Sequence, residues 1–137
     1  MTFHNLARRT PLPCEKENNW FVIVGDFSKE LAKEAVRDSE NGKAIFFDVK
    51  DDNQLNKEIK NTDIVVSMLP SSMHIIVAED CIKIKKNLVT ASYISQEIED
   101  LDEMAKQEGI LLLNEIGLDP GIDHMSAMKV INEIQEK

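Results

Sequence analysis

Short unbroken apolar runs set the rhythm of this chain. Trp20-Phe21-Val22-Ile23-Val24 is rich in β-branched and aromatic residues and ends at Gly25-Asp26. Ala44-Ile45-Phe46-Phe47 is a second run, and Asp63-Ile64-Val65-Val66-Ser67-Met68, stopped by Pro70, is a third. Leu88-Val89-Thr90-Ala91 and Ile110-Leu111-Leu112-Leu113 follow. None alternates apolar with polar positions. Runs of this kind predict strands buried on both faces, as in a parallel sheet.

Between the runs the period lengthens to that of a helix. Leu31, Ala32, Ala35 and Val36 share one face of a helix opened by Ser28, and Leu55 and Ile59 share another after Asp51-Asp52. The stretch from His74 to Lys85 is apolar almost all round and predicts a well-buried helix. Ser95 is placed to cap a helix with the stripe Ile98, Leu101, Met104 and Ala105, acids in its first turn and Gly109 as its stop. A last helix is expected from Asp119-Pro120, with proline at its first position, carrying Met125, Met128 and Ile131. Most of the six methionines fall at such stripe positions or at strand ends and are expected in the core. Strands alternating with helices give the fold class: α/β, with a doubly wound parallel sheet.

Residues 1–19 break the pattern. Pro11 and Pro13 interrupt any regular element, and the first glycine of the chain is Gly25. Residues 1–19 are therefore read as an irregular N-terminal segment, without a recognisable first strand or glycine-rich turn. Arg8 and Arg9 there faintly suggest a targeting peptide, but an apolar central region is lacking. The 137 residues, 42% apolar and 30% charged, make one globular domain's worth of chain and are too short for a complete two-domain oxidoreductase. A net charge of −9 argues against a general nucleic-acid or anionic-membrane binder. Cys14 and Cys81 make no disulfide framework, which points to a reducing, cytoplasmic compartment.

Ligands of doubly wound sheets bind beyond the carboxyl ends of the strands. That rule selects Asp26, Asp48, Ser67 to Ser71, Ser92 with Tyr93, and Asn114 to Gly121. Asp26 reads either as an acceptor for the ribose hydroxyls of a dinucleotide or as a turn residue before the Ser28 helix. The segment from Asn114 to His124 is the densest polar cluster. Asp119, Asp123 and His124 have plausible metal spacing but no fourth ligand, so no metal is expected. Asp119 as a helix cap, and His124 as a satisfied helix histidine, stay open. His74 reads as structural and Cys81 as a small buried hydrophobe.

"NEIGLDPGIDHMSAMK", Asn114 to Lys129, resembles the signature of the saccharopine dehydrogenase and saccharopine reductase family. "DIVVSMLPSSMH" from Asp63 and "LVTASYIS" from Leu88 match it in the same order, and the resemblance runs from about Trp20 onward. It implies a Rossmann-like domain, residues 20–137, that is part of an NAD(P)-dependent oxidoreductase of lysine metabolism. Such enzymes cleave saccharopine oxidatively to glutamate and aminoadipate semialdehyde, or run the reverse. The resemblance places Asp26 at the adenosine ribose, Asp48 and Val49 near the adenine, and Ser67, Leu69 and Pro70 along the cofactor. It puts Tyr93 and Asp119 at the substrate as acid–base participants. With Asp26 at the ribose, NAD is the expected cofactor and NADP the less expected, since a 2′-phosphate would meet a carboxylate. The expected partners are a dinucleotide and an amino-acid substrate, with no nucleic acid and no membrane; a homodimer stays open. The family's substrate domain and phosphate loop find no match in the chain, which is therefore expected to be inactive alone. A stand-alone nucleotide-binding or regulatory module, or a fragment that folds without binding, are the alternatives. In the strand order 3-2-1-4-5-6 of dinucleotide folds, the runs are strands 2 to 6, which predicts a gap at strand 1.

Overall fold

The computed structural model describes residues 20–37 and 39–135, so the reading of residues 1–19 lies outside the described residues. The chain divides into two compact units, residues 1–54 and 55–137.

The first unit holds β1 (Val22–Asp26), α1 (Lys29–Val36), β2 (Gly42–Phe46) and the opening turn of α2 (Asp52–Lys60). The two strands are parallel, with Val22 opposite Gly42 and Asp26 opposite Phe46. Helix α1 packs on both, burying Ala32 and Val36, as the spacing of its apolar positions requires. Ser28 caps it, its hydroxyl accepting from the Leu31 amide at 3.4 Å. Gln54 closes the unit. Its amide donates to the Phe46 carbonyl at 2.7 Å and accepts from the Asp48 amide at 2.9 Å, tying the end of β2 to α2.

The second unit continues α2 and adds β3 (Ile64–Ser67), a 3-10 turn at Ser71–Met73, α3 (His74–Ile84), β4 (Asn87–Thr90), α4 (Gln96–Glu99), α5 (Asp102–Glu108), β5 (Leu112–Leu113) and α6 (Ile122–Gln135). Its sheet is parallel in the order β3-β4-β5, with Ser67 opposite Thr90 and Val89 opposite Leu113. Helix α3 is the core element and buries Val77, Ala78, Cys81 and Ile82. Burial pushes the Cys81 thiol up to about 12, so it behaves as a small hydrophobe. Asp80, also buried on α3, accepts from Asn56 at 2.8 Å and from Lys83 at 2.9 Å. Gly109 stops α5 in the left-handed region at φ 69°, as expected.

The α/β class and the parallel strands stand, and several local expectations do not. Among the described residues the strands form two sheets, β1-β2 and β3-β4-β5, as an order lacking strand 1 would divide them; the expected gap itself bears on residues 1–19, outside the described residues. Ile64 and Val66 are 53% and 61% exposed, while Val65 is half-buried and Ser67 buried. Edge strand β3 is thus covered on one face only, among the described residues. The helix capped by Ser95 breaks at Asp100-Leu101, where the Leu101 amide bonds back three residues to Ile98. Met104 consequently turns outward. The last helix starts at Ile122, because the Pro120 carbonyl is taken by the Gly117 amide at 2.9 Å in a tight turn. No described residue of α6 is buried, and Met68, Met104, Met125 and Met128 are exposed, so the methionines do not supply the core.

This distribution is testable by denaturant unfolding. Leu55→Ala, at a fully buried position, is expected to lower stability by roughly 2–5 kcal/mol. Met128→Ala, on an exposed helix, is expected to stay within about 0.5 kcal/mol of wild type. A large loss at Met128 would mean that α6 is packed in solution.

Candidate functional site

In the first unit, the strand ends bring Asp26 and Asp48 onto one rim. Asp26 ends β1 opposite Phe46, and its carbonyl accepts from the Phe47 amide at 2.9 Å. Its carboxylate is turned into its own loop, with Oδ1 accepting from the Ser28 amide at 2.7 Å. That Asx turn delivers the chain to the α1 cap. The exposed rings of Phe27 and Phe46 lie 5.4 Å apart beside it and form a small aromatic platform. Asp48 makes the same kind of turn, accepting from the Lys50 amide at 3.0 Å. Val49 is buried, so its side chain belongs to the core.

In the second unit, Ser67 ends β3 with a buried hydroxyl. Leu69 is half-buried and Pro70, exposed, opens the 3-10 turn that leads into α3. His74 begins α3 and is buried. Its Nδ1 lies 2.8 Å from Ser67 Oγ; its Nε2 lies 2.8 Å from Ser92 Oγ and 3.2 Å from Thr90 Oγ1. One imidazole therefore links the ends of β3 and β4. Burial holds its pKa below the ordinary histidine value. The structural reading of His74 was legible in the sequence; its reach to the rim was not, because the partners come from separate segments.

Tyr93 and Asp119, far apart in sequence, meet. The Tyr93 hydroxyl donates to Asp119 Oδ1 at 2.7 Å, and both side chains are exposed. Backbone bonds hold the two segments together: the Glu115 amide donates to the Ser92 carbonyl at 3.1 Å and the Ile116 amide to the Thr90 carbonyl at 3.2 Å. The Glu115 carboxylate accepts from the Ile94 amide at 3.2 Å. A tight turn then presents Asp119, with a cis peptide before Pro120 and a bridge from Gly117 to Gly121. Gly121 sits at φ 140°, and a Cβ there would collide with the Gly117 carbonyl, so the position requires glycine. The hydrogen bond to Asp119 raises the Tyr93 pKa first, with the negative charge of Asp119, Asp123 and Glu115 adding to it. The phenol is protonated at neutral pH. Asp119 is not a helix cap. Asp123 takes the Gly121 amide at 2.9 Å, and His124 stands beside Asp123 at 3.0 Å, exposed. Among the described residues no group of three or more His, Cys, Asp or Glu side chains could hold a metal ion, and no helix is long and apolar enough to cross a membrane.

Comparison with known proteins gives this geometry a context. Residues 5–113 match the model of the saccharopine dehydrogenase NADP binding domain. The chain is 46% identical over 123 residues to an alpha-aminoadipic semialdehyde synthase of Arabidopsis thaliana, covering 90% of this chain and 12% of the other. It is 37% identical over 135 residues to a saccharopine dehydrogenase [NADP(+), L-glutamate-forming] of Schizosaccharomyces pombe, covering 98% and 28%. An apo saccharopine dehydrogenase (L-Glu forming) from Saccharomyces cerevisiae superposes with a TM-score of 0.84 at 35% identity, covering 95% of this chain and 29% of that one. The chain thus spans between an eighth and about three-tenths of these relatives' length. The likeness begins at residue 5 and not at Trp20.

The NAD expectation is overturned, because the matched domain and the fungal relatives are named for NADP. The physical reason lies in the Asp26 loop. The inference to NAD rested on the charge of Asp26 alone, and that carboxylate is turned back into the loop to accept from the Ser28 amide. Ser28 and the exposed Lys29 follow on the same loop.

His74 makes stability depend on pH in a defined direction. Its folded pKa is depressed, so its stabilisation is complete above the unfolded value of about 6.5 and is lost as pH falls through that value toward the folded one. The melting temperature is expected to drop across this window, and the His74-specific part of the drop to vanish in His74→Gln. An identical pH profile in the two proteins would refute it.

Proposed function

The chain belongs to the saccharopine dehydrogenase NADP-binding domain family, and from that premise we propose that it binds NADP for a saccharopine dehydrogenase-like reaction of lysine metabolism. The observation that carries the reading is the Tyr93–Asp119 hydrogen bond, which joins at 2.7 Å the two residues the family resemblance puts at the substrate. When bound, NADP accepts or returns a hydride at the carbon of the substrate's C–N bond.

The chain's own residues supply binding and proton handling. Asp26 meets the adenosine ribose with the oxygen that Ser28 leaves free, and Lys29 is the cation that a 2′-phosphate would meet on this loop, the Ser28 hydroxyl being donated to Glu30 at 3.1 Å. Asp48 and the backbone of Val49 border the adenine, beside the Phe27–Phe46 platform. In the second unit, Ser67, Leu69 and Pro70 are the residues that the resemblance puts along the cofactor, with the Ser67 hydroxyl spent on His74. In the reductive direction, the protonated Tyr93 phenol donates a proton to the nitrogen of the substrate imine. In the oxidative direction, the nitrogen of the secondary amine loses its proton to the Tyr93–Asp119 pair as the hydride leaves its carbon. The exposed position of both side chains lets the pair exchange that proton with water. A reducing, cytoplasmic compartment suits Cys81, a buried free thiol.

Calorimetric titration of the 137-residue chain tests the binding reading. Binding of NADP is expected, with NAD weaker, and Lys29→Ala is expected to narrow that difference by roughly 1–2 kcal/mol. Tyr93→Phe is expected to leave NADP binding unchanged. Absence of NADP binding, or a preference for NAD, would overturn the proposal.

A further inference from the structure

We infer that His74 is a positioning residue: by bonding Ser67 and Ser92 at once, it fixes where the segment after β4 carries Tyr93 against Asp119. The inference deepens the proposed function and rests on its reading of Tyr93 and Asp119 as the proton-handling pair.

His74 reaches Tyr93 through Ser92, which immediately precedes it. Ser92 is held through three groups: its amide donates to Thr90 Oγ1 at 3.3 Å, and its hydroxyl and carbonyl are engaged as well. Its hydroxyl lies 2.8 Å from His74 Nε2, and its carbonyl accepts from the Glu115 amide at 3.1 Å, on the segment that leads to Asp119. Thr90, two residues earlier, is held in the same way: its hydroxyl lies 3.2 Å from Nε2 and its carbonyl accepts from the Ile116 amide at 3.2 Å. The opposite ring nitrogen is anchored 2.8 Å from Ser67, the last residue of β3. A rigid planar ring with partners on both edges sets a fixed span between two strand ends, which a flexible side chain does not.

The groups facing the imidazole suit this task. From β3, from β4 and from the segment after it come the hydroxyls of Ser67, Thr90 and Ser92, each able to donate or accept. An apolar side chain in the slot would fill the space yet strand the buried Ser67 hydroxyl and leave Thr90 Oγ1 only the Ser92 amide, which would draw the strand ends toward other partners. Ser92 would then lose the tether on its side chain, which loosens the placement of Tyr93, while its carbonyl would keep the Glu115 amide and the pairing of β3 with β4 would still be made by backbone bonds.

Tyr93 is the only tyrosine of the chain, which permits a direct test. Ring-fluorinated tyrosine incorporated biosynthetically places one fluorine label at this position, and its chemical shift follows ionisation of the phenol. The label also lowers the phenol's pKa, keeping the titration below strongly alkaline pH. In the wild-type chain the midpoint is expected above that of the free fluorinated amino acid, and Asp119→Asn is expected to bring it down. His74→Asn, whose amide reaches only the Nδ1 position, is expected to bring it down equally. His74→Gln, whose amide reaches the Nε2 position and so Ser92, is expected to keep most of the elevation. Ser92→Ala removes a single oxygen and carries the same expectation as His74→Asn, should the latter fail to fold. A folded His74→Asn or Ser92→Ala protein with the wild-type midpoint would overturn the inference, as would a wild-type midpoint equal to that of the free amino acid. No cofactor or substrate enters this titration. A failure of NADP binding therefore reads on the proposed function alone, and an unmoved midpoint on the role of His74 alone.

Discussion

Strand β4 is the element on which the second unit is built. It is paired on both sides, with β3 and with β5. Parallel pairing fixes which residues end together, so Ser67 and Thr90 finish in register. Everything chemical in this unit lies just past that line. Thr90 and Ser92 face His74, Tyr93 follows, and the carbonyls of Thr90 and Ser92 continue the pairing onto the segment that delivers Asp119. A one-residue slip of β4 would send the opposite set of side chains toward His74 and separate Tyr93 from its carboxylate. The buried Leu88 and Thr90 on one side of the strand resist such a slip, because moving them exposes one apolar side chain and unbonds one hydroxyl.

The sequence showed the class of the fold because its signal is local. Strands β1 to β4 coincide with apolar runs, and the caps at Ser28, Ser95 and Gly109 are where side-chain chemistry puts them. It misled where the outcome depends on neighbours distant in the chain. Met125, Met128 and Ile131 keep a helical spacing that says nothing about whether another surface lies against them. The break between α4 and α5 falls inside a regular apolar stripe, so periodicity does not register it. Pro120 has the composition of a helix start, but its carbonyl is claimed by Gly117 in a turn.

The candidate site divides along the same lines. Tyr93 and Asp119 were reached through the motifs they sit in, and their contact is a property of the folded chain alone. Asp26 was read correctly as a strand-end acid. The inference to cofactor type failed because it weighed one charge, whereas the loop as a whole, with Lys29 exposed beside Asp26, decides what a 2′-phosphate meets. Of the two meanings the sequence allowed for Asp26, ribose acceptor and turn residue, the structure realises the second directly, and the second does not exclude the first. Gln54 left no readable trace either, although it stitches the end of β2 to α2 with two hydrogen bonds.

Helix α6 has a colloidal consequence. Ile122, Met125, Met128, Val130, Ile131 and Ile134 are all exposed and distributed round it, giving the described chain an apolar surface there. Against the meeting of two such surfaces stands the net charge of −9, whose repulsion reaches only about a Debye length, roughly 8 Å at physiological ionic strength. Added salt shortens that reach while leaving the apolar attraction intact. The dispersion of the 137-residue chain is thus a contest between a screened and an unscreened force, and its solubility should fall as ionic strength rises.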